Sequence, residues 1–357
     1  MSNELELLAE RIINGVKISK DDVVVLSCSR NSLQFAELLS KSIVAKGAYP
    51  VIILKPSINI LRSVITECIW VESNIYETLA HDVSVFIDIV DTMRLGLEVE
   101  DINCLNSAWN LFPYAIFDEV VKSKYIGKRY ALITSPMDEV LGSMITRASL
   151  VNYAVLSKDL QKVIEIFRKG NEIIIKNTTS NIRAKLRGVV LWDCGSLDLN
   201  REGDFQIMMP SGVVSTFPIE TSVEGYVYIP ELYDPWNLSS KPIKGLEIWF
   251  ENGCIVKARA RDNFELFKKI MENSVGDKEC VGEIGVGFNP ELNVLTGFQQ
   301  LDEIVRGAIY IALGDNSYVY PELGGRLRSN LHWHIPLHRA SLIIDSIEIV
   351  RSGKLII

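Results

Sequence analysis

The sequence predicts an α/β domain with a parallel sheet, followed by an α+β domain with a mostly antiparallel sheet. In the first part, short apolar runs alternate with segments of helical spacing. In the second part strands predominate, and Asn252-Gly253 is typical of a tight hairpin turn. A charged helical segment around residues 157–172 separates the two patterns. We therefore expect an N-terminal domain over residues 1–157 and a C-terminal domain over residues 158–357.

The first domain opens with a predicted helix over residues 4–14. A second helix follows the first strand, with Ser32 as its expected cap and Gly47 as its stop. The β-α-β order implies parallel strands with helices on both faces of the sheet. The strands are predicted at Val23–Leu26, Pro50–Leu54, Val83–Ile89 and Tyr130–Thr134.

The second domain contains one further predicted helix, over Asn263–Glu272, among strands that carry apolar residues. These strands are predicted at Ile173–Ile175, Ile182–Trp192, Phe205–Met208, Leu246–Phe250, Cys254–Ala260, Ala308–Leu313 and Leu342–Val350.

Composition excludes several classes of protein. The chain of 357 residues has a formal net charge of −8 and no basic block, which argues against a nucleic-acid partner. No apolar run approaches the roughly 18 residues of a membrane span, and no secretory signal is visible, so we expect a cytoplasmic protein. The six dispersed cysteines are expected to be reduced. The first strand-to-helix turn lacks glycine, so a dinucleotide site is not expected.

Two of the four histidines lie one residue apart, at His332 and His334. If this segment is a strand, both imidazoles point to one face and Trp333 to the other. Two imidazoles on one face can share a metal ion, or they can be polar residues that face a cleft. The other two histidines, His81 and His338, are expected to have surface or structural roles.

Glycine and proline mark three unusual segments: Met209–Pro218, Gly282–Pro290 and Gly307–His334. In this order the segments resemble the M29 family of metallo-aminopeptidases, the aminopeptidase T group. The resemblance covers most of the chain. It implies that family's fold, in which the larger C-terminal domain holds two divalent metals, and a homodimer.

The resemblance also identifies six metal-ligand positions, two of which keep the ligand type, Glu283 and His332. The other four differ: Val213 replaces a glutamate, Tyr310 a histidine, Ser317 (beside Tyr318) a tyrosine, and His334 an aspartate.

A valine cannot coordinate a metal, and two adjacent divalent cations need several anionic oxygens. We therefore expect a degenerate site without a metal, which binds a peptide or small molecule without hydrolysing it, for example within a biosynthetic pathway. The residues expected to line this cleft are Val213, Tyr310, Ser317, Tyr318 and Trp333.

Two alternatives remain open. Glu283, His332 and His334 form a two-histidine, one-carboxylate set, the ligand type of non-haem iron(II) and mononuclear zinc enzymes. A ring-cleaving dioxygenase of dihydroxypyridines also resembles this fold. Otherwise the chain is a divergent aminopeptidase, in which Glu220 replaces the missing carboxylate. Asp302 and Glu303 are expected either to support a ligand or to be surface charges.

Overall fold

The computed structural model describes residues 2–69, 75–102, 112–197, 204–319 and 321–357. None of the helices in these ranges is long and apolar enough to cross a membrane. The helices are α1 Ser2–Gly15, α2 Leu33–Ala45, α3 Ile58–Glu67, α4 Ile75–Ala80, α5 Tyr114–Lys122, α6 Gly142–Ser149, α7 Tyr153–Lys169, α8 Phe264–Asn273 and α9 Gln299–Asp302.

The strands of the first half are β1 Val23–Cys28, β2 Tyr49–Leu54, β3 Val85–Val90, β4 Arg129–Thr134, β5 Glu172–Lys176, β6 Asn181–Lys185, β7 Leu191–Asp193, β8 Gln206–Met209 and β9 Val213–Thr216. Those of the second half are β10 Glu224–Leu232, β11 Ile243–Glu251, β12 Cys254–Arg259, β13 Val281–Gly287, β14 Ile309–Gly314, β15 His332–Leu337, β16 Ser341–Ile344, β17 Ile347–Arg351 and β18 Lys354–Leu355.

The chain divides into two compact units. The first contains Met1–Leu95, Glu100–Val151 and Asp193–Ser211, and the second contains Gly96–Val99, Asn152–Trp192 and Gly212–Ile357.

The first unit is built on a parallel sheet in the order β2-β1-β3-β4-β8. This confirms the predicted α/β class, since apolar strands such as β1 are buried and need helices over them. Strand β8, predicted in the second domain, pairs with β4 instead, because a four-residue apolar run does not identify its partner. Ser32 does not cap α2 with its side chain. Its hydroxyl donates to Asp91 Oδ1 and contacts Ser135 Oγ.

The second unit contains two mostly antiparallel sheets, as predicted. The larger has the order β12-β11-β10-β6-β5-β16-β17-β18, and the expected hairpin at Asn252-Gly253 joins β11 to β12. The smaller sheet, which we call the site sheet, has the order β15-β14-β13-β9-β7. Every residue of β9, β13 and β14 is buried. These strands lack polar alternation because they are covered on both faces.

Disulfide bonds correct the expectation of reduced thiols. Cys254 and Cys280 form a disulfide, Cys68 is also disulfide-bonded, and Cys28 has a free thiol. An isolated antiparallel bridge places the bonded pair directly opposite each other. The sequence conceals this contact because 26 positions separate the two residues.

Candidate metal centre

Four adjacent strands of the site sheet bring polar side chains to one face. Successive side chains of a strand alternate between faces, so strand register decides which residues meet. Gly285 of β13 pairs with Ser215 of β9 and with Tyr310 of β14. Ala312 of β14 pairs with Glu283 on one side and with His334 on the other. The register therefore gathers Ser215, Glu283, Tyr310, His332 and His334 on the same face.

Small residues make room for these side chains. A Cβ atom at Gly285 would lie 2.2 Å from Tyr310 Cζ, so only glycine lets the phenol ring lie against β13. Ala312 lies between Glu283 and His334 in the sheet, and its side chain is only a methyl group, which leaves room for both neighbours. Gly285 thus serves close packing of a side chain on the sheet, whereas Gly282 and Gly287 lie closest to backbone atoms of neighbouring segments.

The atoms that could bind a metal converge. Nε2 of His334 lies 2.9 Å from Nε2 of His332, which in turn lies 3.5 Å from Glu283 Oε2. One ligand atom from each of the three residues lies within 4.8 Å of the others. Two ligands of one ion, with bonds of about 2.0–2.2 Å, are separated by at most about 4.4 Å. Small side-chain rotations therefore suffice for all three to share an ion.

Each imidazole is oriented through its other nitrogen. Nδ1 of His332 lies 2.8 Å from the carbonyl oxygen of Asp315. Nδ1 of His334 lies 2.7 Å from Glu303 Oε2. This is an ionic contact, because the ring N–H does not point straight at the oxygen. Acceptors beside both Nδ1 atoms favour the tautomer with its proton on Nδ1. The lone pair of each Nε2 then faces the space between the rings.

Glu283 is held as a carboxylate. The Tyr310 hydroxyl donates to its Oε1 over 2.7 Å, and the Ser215 hydroxyl contributes a second hydrogen bond. Burial alone would raise the pKa of Glu283, but His332, His334 and the two hydroxyls outweigh burial and lower it. Glu283 is therefore an anion, which is the form that coordinates metals.

The surroundings of His334 also favour positive charge. Burial would lower the pKa of His334, but the carboxylates, chiefly Glu303, raise it above its ordinary value. The Tyr310 ring stacks on the imidazole at 4.4 Å and 19°. Burial and the charge of Glu283 raise the pKa of Tyr310 well above its usual value, so the phenol stays neutral and donates its proton.

Three supporting groups were not predicted: Ser215, Gln299 and the Asp315 carbonyl. Gln299 accepts from the His334 backbone N–H at 3.3 Å and donates to the His332 carbonyl oxygen at 3.4 Å. Ser215 had a sequence signal, since it lies two residues after Val213 and therefore on the same face of a strand. Nothing in the sequence pointed to Gln299 or to a backbone carbonyl.

Among the residues predicted as ligands or cleft residues, Val213 and Glu220 lie apart from the converging atoms. Val213 is buried on β9, on the same face as Ser215. Glu220 forms an ion pair with Arg187, and its Oε1 accepts from the Arg326 backbone N–H at 3.1 Å. Both carboxylate oxygens of Glu220 thus have partners other than the converging ligand atoms.

Three other predicted residues have structural surroundings. The Ser317 hydroxyl donates to the Leu327 carbonyl oxygen, and the half-exposed Tyr318 donates its backbone N–H to Asp315. Trp333 lies on the face of β15 opposite the imidazoles, as alternation predicts, so the structure does not place it in the cleft.

A cavity of about 990 Å³ within the second unit opens beside this group. Tyr310, His334 and Glu303 line one part of it. The cavity gives a ligand access to the His334 side of the centre, and its volume suits a small molecule or a short peptide.

Comparisons with solved structures give several matches, two of which cover nearly all of both chains. Wild-type AmpT from Thermus thermophilus matches with a TM-score of 0.73 at 16% identity, over 100% of both chains. The 2,5-dihydroxypyridine dioxygenase from Pseudomonas putida KT2440 matches with a TM-score of 0.67 at 14% identity, over 99% of this chain and 96% of that chain. At these identities the likeness shows the fold alone.

Sequence comparison gives the family. No curated protein matches the chain. The family model described as thermophilic metalloprotease (M29) matches residues 151–348, more than half of the chain and all of the strands that form the candidate centre. The chain therefore belongs to the M29 family.

Proposed function

We propose that this chain binds one divalent cation through Glu283, His332 and His334, and takes a peptide or small-molecule ligand in the adjoining cavity. The orientation of the imidazoles is the observation that carries the proposal. Because both Nδ1 atoms face acceptors, both Nε2 lone pairs converge at 2.9 Å beside Glu283. Two lone pairs at this distance repel each other unless a proton or a cation lies between them.

Charge favours the cation. Glu283 and Glu303 bring two negative charges to a nearly buried site, being 8% and 4% exposed. Buried charges are costly unless they are paired or coordinate a metal. One proton on the imidazole pair offsets a single charge, whereas one divalent ion offsets both.

The donor set matches iron(II) or zinc, which take two imidazoles and one carboxylate. A cation bound there would act as a Lewis acid towards an oxygen atom of the ligand. The protein's own residues would do the positioning: Tyr310 and Ser215 hold the Glu283 carboxylate, and Glu303 orients His334. The ligand would approach the cation from the cavity, which His334 lines.

One ion is favoured over two. Among the described residues, these three form the one histidine, cysteine or carboxylate group with atoms close enough to hold a metal. Val213 offers no oxygen on this face, and Glu220 is bound to Arg187. We therefore do not expect dinuclear peptide hydrolysis. The homodimer that the family resemblance implies remains part of the proposal.

Metal analysis of the purified chain by mass spectrometry, with calorimetric titration of zinc and iron(II), tests this function. We expect one equivalent per chain. Two equivalents together with release of amino acids from a peptide would instead support a dinuclear aminopeptidase. Absence of binding would favour a second candidate, a metal-free binding cleft, in which a proton shared by His332 and His334 stands in for the ion.

Replacing Glu303 by glutamine should lower metal affinity about 10- to 100-fold, as is typical when the carboxylate behind a ligating histidine is lost. The amide has no charge to hold the Nδ1 proton of His334. Competition with a chelator measures the change. Glu265→Gln, in an exposed ion pair on α8, is the matched control. An unchanged affinity in Glu303→Gln would contradict the assigned role.

A further inference from the structure

We infer that the cavity recognises the carboxylate of an extended ligand, about as long as a tripeptide, through Arg306, Arg339 and Lys354. All three cations line the cavity that Tyr310 and His334 also line. The inference deepens the proposed function. It rests on that function for one point only, namely which end of the ligand lies at the metal.

Backbone packing brings the three cations to one rim. Gly307 follows Arg306 and lies against the backbone of Gly353. A Cβ atom added to Gly307 would lie 2.4 Å from the carbonyl oxygen of Gly353. Gly353 precedes Lys354 and packs against Arg339. A Cβ atom added to Gly353 would lie 3.3 Å from the Cα atom of Arg339. Three segments distant in sequence therefore meet at Gly353, and each contributes one cation to the lining of the cavity.

The acids that line the same cavity are largely occupied. Asp234 accepts from three backbone N–H groups, including that of Leu238. Asp302 accepts from the backbone N–H groups of Thr296 and Gly297, and Glu303 contacts His334. Among the carboxylates that line the cavity, Glu231 is the one that is exposed as the cations are.

The cations themselves are exposed and form no ion pair within the described part of the chain. Among the charged residues that line the cavity, the exposed ones are therefore three cations and one carboxylate, whereas Asp234, Asp302 and Glu303 keep their negative charges but are buried. Such exposed cations attract an anionic group of a ligand.

Strand geometry gives the extent of the cavity along β15. His334 and Leu337 both line the cavity on β15, and three residues of strand span about 10 Å. An extended tripeptide spans a similar distance. Val294, Leu295 and Pro336 add apolar surface to the cavity wall. The cavity thus suits an apolar chain with a carboxylate at the end remote from His334.

Calorimetry with three probes tests this inference: trileucine, its C-terminal amide, and 8-aminooctanoate, which has a carboxylate but no peptide bonds. We expect wild-type protein to bind trileucine about tenfold more tightly than the amide, since each exposed charge contact contributes a factor of a few. Added salt should reduce the preference. Binding of 8-aminooctanoate as tight as trileucine would support recognition of the carboxylate alone, and weaker binding would support recognition of a peptide carboxylate.

The triple variant Arg306→Gln/Arg339→Gln/Lys354→Gln should lose the preference for the free carboxylate. Lys158→Gln/Lys162→Gln/Lys169→Gln removes the same charge from the exposed face of α7 and should keep it. Thermal unfolding checks that both variants fold. Equal binding of acid and amide by wild-type protein, no binding of trileucine, or a preference that survives in the rim variant would overturn the inference.

Metal content measured on the same samples separates the two proposals. The rim variant should keep the metal content of the wild type. Glu283→Gln should lose the metal and keep the preference for the carboxylate. A chain that binds no metal but prefers trileucine would overturn the proposed metal centre and leave the carboxylate site standing.

Discussion

Replacing Glu283 by glutamine will abolish stoichiometric metal binding, with a loss of affinity of at least about 100-fold. Loss of a residue that merely supports a ligand already costs about 10- to 100-fold, and Glu283 would be the sole carboxylate ligand. Glutamine keeps the size of the side chain and an acceptor for the Tyr310 hydroxyl, so the fold should survive. Metal analysis and calorimetric titration measure the loss.

Glu220→Gln is the matched control for this substitution. It also neutralises a largely buried glutamate of the second unit, but one whose carboxylate pairs with Arg187. It should therefore keep a full equivalent of metal, even if it lowers stability. Retention of metal by Glu283→Gln, or equal losses in both variants, would show that the ion, if any, binds elsewhere.

Replacing Trp333 by alanine should lower the free energy of unfolding by about 3–5 kcal/mol, the usual cost of truncating a large buried aromatic side chain. Trp333 is 1% exposed and packs against Phe267 of α8 with ring centroids 5.8 Å apart. Its indole N–H donates to the Tyr233 carbonyl oxygen, which alanine would leave without this partner. Urea unfolding followed by circular dichroism measures the change.

Two comparisons separate the packing of Trp333 from its hydrogen bond. Trp333→Phe keeps most of the packing and should lose about 1–2 kcal/mol, mainly for the unpaired carbonyl. Trp249→Ala truncates a half-buried tryptophan on β11 and should cost less than Trp333→Ala. A loss below about 1 kcal/mol in Trp333→Ala would contradict the role of this residue as a core anchor.

The sequence alone predicted that the two imidazoles lie on the same face, because alternation within one strand is a local property. It was not sufficient for the distance from Glu283 to His332, which depends on β14 lying between their strands. The family resemblance marked both positions, but no local rule places them 3.5 Å apart.

The sequence could not predict which carboxylates support the candidate centre. Glu220 and Glu303 were both open candidates by sequence. Arg187, which pairs with Glu220, lies 33 positions earlier, whereas Glu303 follows the short helix α9, which has no periodicity to reveal a buried face. Similarly, β8 is an apolar run whose membership of the first unit depends on a partner, β4, more than 70 residues away.

The close fit of Tyr310 against Gly285 makes the present site difficult to convert into a dinuclear centre in single steps. Glutamate in place of Val213 alone would bury a charge with no second ion to receive it. Histidine in place of Tyr310 alone would remove the hydroxyl that holds Glu283 and leave empty volume above Gly285. Because each change is harmful without the other, an engineer who wants a dinuclear centre on this scaffold must introduce both together, with strongly non-additive effects.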